Sequence, residues 1–540
     1  MAVFLPSSAL IGYLRIALKE PHEQLLLGAN LFKIGLAILG FLAIVLAKLP
    51  IYNKKRSKLE VVPKSHNNIY LTVFATLFLI AFILRLYRLD NGLWLDEILT
   101  DVNYARTSFG EIVTTYDSQN QHFLYSILAH ASFLIFGESA WSLRLPAVIF
   151  GVASIWALFL LSRKVASNRE ALLTCALLAF SYHHIWFSQN ARGYTGLLFW
   201  TIFSTWLFIR GLKEEHIKLW IFYALAAAFG AFTLITMVLI VTGHFTVYLA
   251  TLYARRNQNW PGKWIPLVGF VLAVAFTFQL YALVLPQAFA GTIQQGSQVA
   301  IWKSPLWALF EFVRGFKISF MSIIPAILSL PIFIAGLWSF ARENRTLIAL
   351  HFLPLVFILA TALIMKHHLW PRVFFFLLGF GVLVVVRGCM QIGNITHRLF
   401  KFQRLTAPQL GTTLCIALIL VSAGSIPSVY GPKQDYLGAV SFLEKSRIPG
   451  DVIVIVGAAT IPFKHYYGVD WKEVEVAEDL KAIRSEAKRT WLAYTLPPHL
   501  DAAYPEIMEI IRNDFKLIKQ FYGTLNGGTI YVSRFDIPLK

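Results

Sequence analysis

The feature that most constrains this chain is a series of apolar stretches, each long enough to cross a bilayer as a helix. The first two occupy 27–46 and 68–87. A lipid interior tolerates only helices or closed barrels, because these satisfy every backbone N–H and C=O group, and about 20 apolar residues span it as a helix. Charged residues make up 14% of the chain, against roughly a quarter in a soluble domain. These stretches predict an α-helical polytopic membrane protein.

Basic residues in the polar loops predict how the chain is oriented. The net charge of +19 needs no nucleic-acid partner, because Lys and Arg accumulate in cytoplasmic loops of membrane proteins. The basic segment 48–67 is therefore placed in the cytoplasm and the loop 88–141 outside. Segment 121–136 is apolar but short, and a crossing there would put Arg163 and Arg169 outside, so we predict an interfacial helix lying flat on the membrane. The remaining spans are predicted at 142–162, 171–187, 195–211, 218–233, 235–253, 265–285, 318–340, 346–365, 371–388 and 410–429, about twelve in all.

The pattern changes near residue 431, where short strand-like and helix-like segments replace the apolar runs. We predict three parts: residues 1–67 with one extra span and the basic cytoplasmic loop, a transmembrane region at 68–430, and an extracytoplasmic α/β domain at 431–540. Within that domain the predicted helices are 440–446 and 506–520, and the predicted strands are 451–456, 489–494 and 529–533. The three cysteines, each in or beside an apolar run, predict neither a disulfide framework nor a cysteine-based metal site.

A carboxylate pair, Asp96 and Glu97, follows the second span and the turn at Asn91-Gly92. Carboxylates among apolar neighbours just past a membrane exit are costly unless they have a use. A carboxylate there could act as a general base toward an incoming hydroxyl. The alternative is that both are ordinary loop acids near a helix start.

Three further polar segments are predicted at the same membrane face. They are 121–136 with His122 and His130, 188–194 with Gln189, Arg192 and Tyr194, and 366–372 with His367, His368 and Arg372. Arginine binds phosphate in a planar, two-pronged way and stays charged near lipid, so this combination suits an anionic lipid substrate. The alternatives are that the arginines reach to lipid headgroups and that His130 is a packing residue.

The order of these stretches resembles the membrane glycosyltransferases of the GT-C class, family 39, the protein-mannosyltransferase-like (PMT_2) group. The resemblance covers about residues 68–390. The matching pieces are Leu84-Arg85-Leu86-Tyr87-Arg88-Leu89-Asp90 before Trp94-Leu95-Asp96-Glu97, then Phe123 to His130, Phe136 to Ser139, Leu143 to Gly151, Ser188 to Tyr194, and Trp370-Pro371-Arg372.

The resemblance implies that 68–430 is a GT-C-like catalytic domain in which Asp96 is the catalytic base and Glu97 supports it or organises the site. It further implies donor-phosphate or substrate contacts from Arg192, Tyr194, Gln189, His367, His368, Arg372, Arg88 and His122. Many family members carry two prolines where this chain has Gln121-His122, and some carry an acidic residue in the loop that here reads Gln189-Asn190. With that second carboxylate missing, no metal ligand is assigned, although a divalent metal is left open.

The expected function is transfer of a sugar from a polyprenyl-phosphate-linked donor to a glycan, lipid or protein acceptor, with inversion, at the extracytoplasmic face of the plasma or inner membrane. One alternative is a transporter or flippase for the same kind of lipid. Transporters usually show internal repeats and place charged sites near the bilayer midplane, whereas no repeat is seen here and the informative charges lie at one face. A non-catalytic membrane scaffold is the third alternative.

Overall fold

The computed structural model describes residues 5–14, 22–48, 64–295, 310, 313–315, 323–365, 370–401, 403–525 and 527–536. The helices before the C-terminal part are α1 Ser7–Tyr13, α2 His22–Lys48, α3 Lys64–Leu86, α4 Leu95–Thr100, α5 Phe109–Thr114, α6 Phe123–Phe136, α7 Ala140–Val165, α8 Asn168–Ala179, α9 Tyr182–Ser188, α10 Tyr194–Glu214, α11 Ile217–Thr233, α12 Met237–Ala254, α13 Ile265–Tyr281, α14 Leu285–Gln295, α15 Ile323–Glu343, α16 Arg345–Ile364, α17 Leu378–Phe400, α18 Ala407–Gly424 and α19 Ile426–Val429. A π-helical turn, Asp101–Ala105, continues α4, and a 3₁₀ helix, Pro371–Leu377, precedes α17.

The prediction of a helical polytopic membrane protein is confirmed. In the part of the chain that the structure describes, eight helices are long and apolar enough to cross a membrane, or nine if α8 and α9, bent by 62°, form one span. The predicted spans 218–233 and 265–285 overlap α11 and α13, and the described part of the predicted span 318–340 lies in α15. The count of twelve exceeds eight or nine and stays a prediction, as do the three domain boundaries.

The predicted interfacial segment forms α6, whose 14 residues end before Gly137 in the left-handed region at φ 81°. Its orientation to a membrane stays a prediction. Among the eight long apolar helices, α7 and α10 are packed most deeply, since 67% of the apolar stretch is buried in each, against 11% in α2 and α3. Of these two helices, α7 packs against α6, and α10 packs against the 3₁₀ helix Pro371–Leu377. Most of the predicted basic cytoplasmic loop, at 49–63, lies outside the described residues.

The C-terminal part is a mixed α/β domain, as predicted. Its helices are α20 Tyr436–Ser446, α21 Ala477–Glu486, α22 Pro497–Ala503 and α23 Pro505–Asp514, and its strands are β1 Asp451–Val456, β2 Lys472–Val474, β3 Arg489–Thr495, β4 Lys516–Phe521 and β5 Ile530–Asp536. The sheet order is β2-β1-β3-β5-β4. β1 pairs in parallel with β2 and β3, while β5 pairs antiparallel with β3 and β4.

The two faces of this sheet belong to different cores. Along β1, Ile453 and Ile455 share a core with Leu93, Ile98 and other outer-loop residues. The alternate residues Val454 and Val456 pack instead against α21 and α23, because successive strand side chains point to opposite faces. The domain is thus joined to the loop 88–141, the predicted outer loop, by a continuous apolar core.

The predicted helix 506–520 is wrong in its second half. The helix α23 ends at Asp514 and strand β4 begins at Lys516. An apolar-polar run this short fits a helix or a strand by periodicity alone, and the antiparallel ladder with β5 decides for the strand. Strand β2 and helix α21 were not predicted, because their residues are mostly polar and exposed.

Candidate active site

The carboxylate pair lies in the first turn of α4, just after the Asn91-Gly92 turn. The Glu97 carboxylate accepts the backbone N–H of Trp94 at 3.3 Å, which satisfies one of the N–H groups that a helix start leaves free. Adjacent helical residues point in directions about 100° apart. The two side chains therefore separate, since Glu97 is fully buried while Asp96 keeps 16% of its side chain exposed.

Glu97 is an ionised anchor inside the protein. Arg144 binds it through two hydrogen bonds, Nε to Oε1 at 2.7 Å and Nη2 to Oε2 at 2.6 Å, and the N–H of Ala191 donates to Oε1 at 2.7 Å. Lys433 Nζ lies 3.6 Å from Oε2. Burial raises the pKa of Glu97, but the charges of Arg144 and Lys433 together with these hydrogen bonds outweigh it and hold the pKa below its usual value. These contacts suit an organising role and leave no free oxygen for a substrate proton.

Arg144 also holds the loop before α4 through backbone carbonyls. It donates to the carbonyls of Leu89 at 2.8 Å, Asn91 at 2.6 Å and Gly92 at 3.0 Å. Arg144 lies in the motif Leu143 to Gly151, but no role was predicted for it from the sequence. An arginine in the first turns of an apolar span is the signal that could have found it, because such a charge normally has a buried partner.

Asp96 lies against Arg372, which comes from the distant 3₁₀ helix before α17. Arg372 Nη1 donates to Asp96 Oδ2 at 2.8 Å, and 30% of the Arg372 side chain is exposed. The guanidinium also lies 5.2 Å from the ring centre of Trp370 and 6.0 Å from that of Trp94. Two predicted site residues are thus in direct contact. His367 and His368 lie outside the described residues.

Arg192 joins the turn before α10 to the segment before α6. Its Nη1 donates to the carbonyl of Asn120 at 2.6 Å, to the Asn120 side-chain oxygen and to Thr100 Oγ1 at 3.3 Å. Its Nη2 lies 3.2 Å from His122 Nε2, and its guanidinium is 6.0 Å from the ring centre of Tyr194. The Tyr194 ring meets His122 edge-on at 5.7 Å. Three predicted site residues therefore form one cluster, and Asn120 is a member that the sequence did not indicate.

The hydrogen bonds of His122 determine where its proton lies. The backbone N–H of Gly193 donates to His122 Nδ1 at 2.8 Å, so a neutral ring carries its hydrogen on Nε2. Burial lowers the pKa of His122 well below its usual value, and the charges of Arg192 and Arg372 lower it further. The ring is therefore neutral, and its Nε2–H stands next to the N–H groups of Arg192. Two neighbouring donors can share one acceptor oxygen.

Gln189 and Arg88 were predicted to bind substrate, but they do not join the other predicted site residues. The Gln189 amide donates to the carbonyls of Arg85 at 3.0 Å and Tyr87 at 2.7 Å, so it joins the end of α3 to the turn before α10. Arg88 is exposed, has a left-handed backbone at φ 53° and lies 5.8 Å from the Tyr87 ring centre. Neither contacts the Asp96–Arg372 pair or the Arg192 cluster in the hydrogen bonds described, and their substrate-binding roles stay predictions.

A cavity of about 340 Å³ opens between the outer loop and the C-terminal domain. Its lining residues are Leu93, Asp101, Arg106, Glu138, Ser139, Tyr466 and Tyr467. Arg106 lies 2.8 Å from the Asp101 carboxylate, whose side chain is only 2% exposed. Burial raises the pKa of Asp101 to about 6, although Arg106 opposes the shift.

Asp101→Asn is expected to stabilise the protein near neutral pH. The folded pKa of about 6 lies above the usual 3.8, so this carboxyl stabilises the fold only while protonated, and that stability is lost as pH rises from about 4 through 6. The variant should gain up to about 3 kcal/mol relative to wild type at pH 7.5, a figure that already includes the pairing of Asp101 with Arg106. Thermal unfolding of both proteins at pH 4.5 and pH 7.5 measures this, and an equal difference at the two pH values would contradict it.

Among the described residues, no group of three or more His, Cys, Asp or Glu side chains is arranged to hold a metal ion. The side chains nearest Asp96 do not resemble a metal site either. Its partner is the cation Arg372. The Asn190 side-chain oxygen accepts from Trp94 Nε1 at 3.0 Å.

Comparison with known proteins bears on the segment that forms the Arg192 cluster. Residues 121–281 match the family described as dolichyl-phosphate-mannose-protein mannosyltransferase. This segment is mannosyltransferase-like. The match confirms the resemblance predicted from the sequence, and it includes His122, Arg144, Arg192 and Tyr194.

Individual proteins are similar to this chain at lower levels of identity. The undecaprenyl phosphate-alpha-4-amino-4-deoxy-L-arabinose arabinosyl transferase of Pseudomonas aeruginosa (strain UCBPP-PA14) is 26% identical over 262 residues, which are 45% of this chain and 44% of the relative. The chain thus matches less than half of that protein's length. ArnT from Cupriavidus metallidurans, solved with undecaprenyl phosphate, has a TM-score of 0.46 and 10% identity, covering 88% of this chain and 98% of that one. The archaeal oligosaccharyltransferase AglB from Archaeoglobus fulgidus, solved with an inhibitory peptide and a dolichol-phosphate, has a TM-score of 0.46 and 10% identity, covering 87% and 74%.

Proposed function

We propose that this protein is an integral-membrane glycosyltransferase that transfers a sugar from a polyprenyl-phosphate donor to an acceptor hydroxyl. The observation that carries the proposal is the pairing of Asp96 with Arg372 at 2.8 Å, a partly exposed carboxylate beside a cation. The family match at 121–281 and the arabinosyl transferase relative support the same reaction class. We further propose the twelve-span topology, with this site and the C-terminal domain on the extracytoplasmic face.

The donor phosphate is proposed to bind at the Arg192 cluster. Arg192 Nη2 directs an N–H at His122 Nε2 from 3.2 Å, so two donors face each other, and a phosphate oxygen that accepts from both would relieve their repulsion. Arg192 Nε is buried and has no hydrogen-bond partner among the described residues, and a buried N–H without a partner is costly. A bound phosphate oxygen would remove that cost. The hydrogen bonds of Arg192 to Asn120 hold its guanidinium in place before the donor arrives.

The reaction proposed is a single displacement at the anomeric carbon. Asp96 accepts the proton of the acceptor hydroxyl, whose oxygen forms the new bond to the anomeric carbon. The bond between that carbon and the phosphate oxygen breaks, and its electron pair leaves with the polyprenyl phosphate, so the anomeric centre is inverted. Positive charge from Arg192 and Arg372 stabilises the phosphate as its charge increases. Arg372 also keeps Asp96 oriented through the hydrogen bond to Oδ2.

The test is sugar transfer in detergent or liposomes, with a panel of polyprenyl-phosphate sugars as donors and membrane extract as acceptor. Wild type is expected to transfer a sugar from at least one donor. If it transfers none but moves a labelled lipid-linked sugar across the liposome bilayer, the transporter alternative replaces the enzyme. If it does neither, the scaffold alternative is favoured.

Arg192→Gln is expected to weaken donor binding. Hydrogen bonds to charged groups contribute about 1.5–3 kcal/mol, so the KM for the donor should rise by about 10- to 100-fold with a smaller change in kcat. Initial rates over a range of donor concentrations measure this. Arg398→Gln is the matched control, because Arg398 is exposed at the end of α17, and it should behave as wild type. An unchanged donor KM in a folded Arg192→Gln protein would place the phosphate elsewhere.

A further inference from the structure

The segment 430–434, between α19 and α20, contacts the Asp96 helix at several points. Gln434 Oε1 accepts the backbone N–H of Leu95 at 2.8 Å, the first N–H of α4. The Asn91 side chain donates to the carbonyl of Tyr430 at 2.9 Å. A helix start leaves its first N–H groups without partners inside the helix, so this segment supplies a partner to α4 that the outer loop itself does not provide.

Lys433, in the same segment, extends its side chain into the site. Its Nζ donates to the carbonyl of Gln189, lies 3.6 Å from Glu97 Oε2 and stands 5.5 Å from the ring centre of Trp186. The side chain is 7% exposed. Glu97 on α4 and Arg144 on α7 are the charged groups that face it.

The charge balance of this group is unusual. Arg144 already pairs with Glu97 through two hydrogen bonds, so Lys433 places a second cation on one buried carboxylate. Burying an extra charge costs more than burying a neutral donor, and a neutral donor could hold the Gln189 carbonyl equally well. The hydrogen bond to the Gln189 carbonyl therefore does not by itself explain why this position is a lysine.

We infer that Lys433 is a positioning residue, which holds Glu97 and the first turn of α4 so that Asp96 faces the reacting hydroxyl. The inference rests on the proposed function. It gives the C-terminal domain a role, because the loop between β4 and β5 of that domain holds the segment on the side away from α4. The backbone N–H groups of Thr524 and Leu525 donate to the carbonyls of Pro432 at 2.8 Å and Lys433 at 3.1 Å. The Gln434 amide donates to the carbonyl of Gly528 at 3.1 Å.

The charge of Lys433 gives the inference a measurable signature. Burial lowers the pKa of Lys433 to about 7, Arg144 lowers it too, and Glu97 opposes the shift. The ammonium is therefore present below about pH 7 and is lost as pH rises through that value. If the charge positions Glu97, wild-type kcat should fall as pH rises through about 7, which gives the pH profile of kcat an alkaline limb. A purely structural lysine would leave the pH profile of kcat unchanged when it is replaced.

The first experiment measures kcat and donor KM from pH 6 to 9 on the purified full chain. Lys433→Met should lower kcat at pH 6 on the order of 10- to 100-fold, as expected for a misplaced catalytic group, with donor KM nearly unchanged and without the limb near pH 7. Lys433→Arg should keep activity and move the limb to higher pH. Lys481→Met, an exposed lysine of the same domain, should match wild type. A folded Lys433→Met protein with the kcat and pH profile of wild type overturns the inference.

A second measurement does not depend on activity. Hydrogen–deuterium exchange of the amides at 94–105 should be faster in Lys433→Met and in Gln434→Ala than in wild type and Lys481→Met. Unchanged exchange in both variants overturns the inference whatever the transfer rate. If exchange is faster in the variants but the wild type transfers no sugar, the proposed function alone is overturned. The conclusion that the segment 430–434 stabilises α4 is then supported.

Discussion

Asp96→Asn is expected to lower sugar transfer by about 10²- to 10⁴-fold, the usual contribution of a general base, in a protein that folds normally. The amide can still accept the hydrogen bond of Arg372 at Oδ1, so the local structure is kept while the proton acceptor is removed. Both side chains of this pair are partly exposed, and such pairs contribute little to stability. The measurement is the single-turnover rate with saturating donor.

Asp90→Asn is the matched control for this prediction. Asp90 lies six residues earlier on the same outer loop and is exposed, so its variant should transfer at the wild-type rate. If Asp96→Asn retains the full rate, another group takes the proton and the proposed mechanism is wrong. Loss of transfer with unchanged donor KM would place the defect in the chemical step rather than in donor binding.

Arg144→Met is expected to cause the largest loss of stability among single substitutions at this site. Glu97 is fully buried and Arg144 is 1% exposed, and removing one partner of a buried ion pair costs about 3–5 kcal/mol. Glu97 would lose both hydrogen bonds of Arg144 and keep only Lys433, at 3.6 Å, as a neighbouring cation. The carbonyls of Leu89, Asn91 and Gly92 lose their donor as well. Thermal unfolding in detergent at constant pH should show a clearly lower midpoint, or no folded protein.

Arg210→Met is the matched control for Arg144→Met, because it removes an arginine from an ion pair that is partly exposed rather than buried. Its partner Glu214 is one turn away on α10, and both side chains are partly exposed. Exposed helix pairs of this spacing contribute about 0.3–0.5 kcal/mol, so this variant should unfold close to the wild-type midpoint. Equal shifts for the two variants would mean that the Arg144–Glu97 pair does not hold the outer loop.

The sequence was informative wherever a local pattern is sufficient. Apolar length and composition predicted the helical membrane class, although the predicted span 171–187 is two helices, α8 and α9, bent by 62°. The strand pattern Asp451–Val456 predicted β1 correctly. Local pattern failed at Lys516–Phe521, where pairing with β5 overrides a helix-compatible run. It also gave no signal for β2, whose three residues are defined by pairing with β1.

Within the candidate site, the sequence by itself determined which residue types follow the second span: a carboxylate pair after a turn, and histidines or arginines in three later segments. Only the tertiary structure decided what each side chain contacts. It divides the pair, with Asp96 on Arg372 and Glu97 on Arg144, and it adds Lys433 and Asn120. The partners are far apart in the chain, 276 residues for Arg372 and Asp96 and 339 for Gln434 and Leu95. Hydropathy and spacing describe neighbours in sequence, whereas burial and pairing of charges depend on which distant segments the fold brings together.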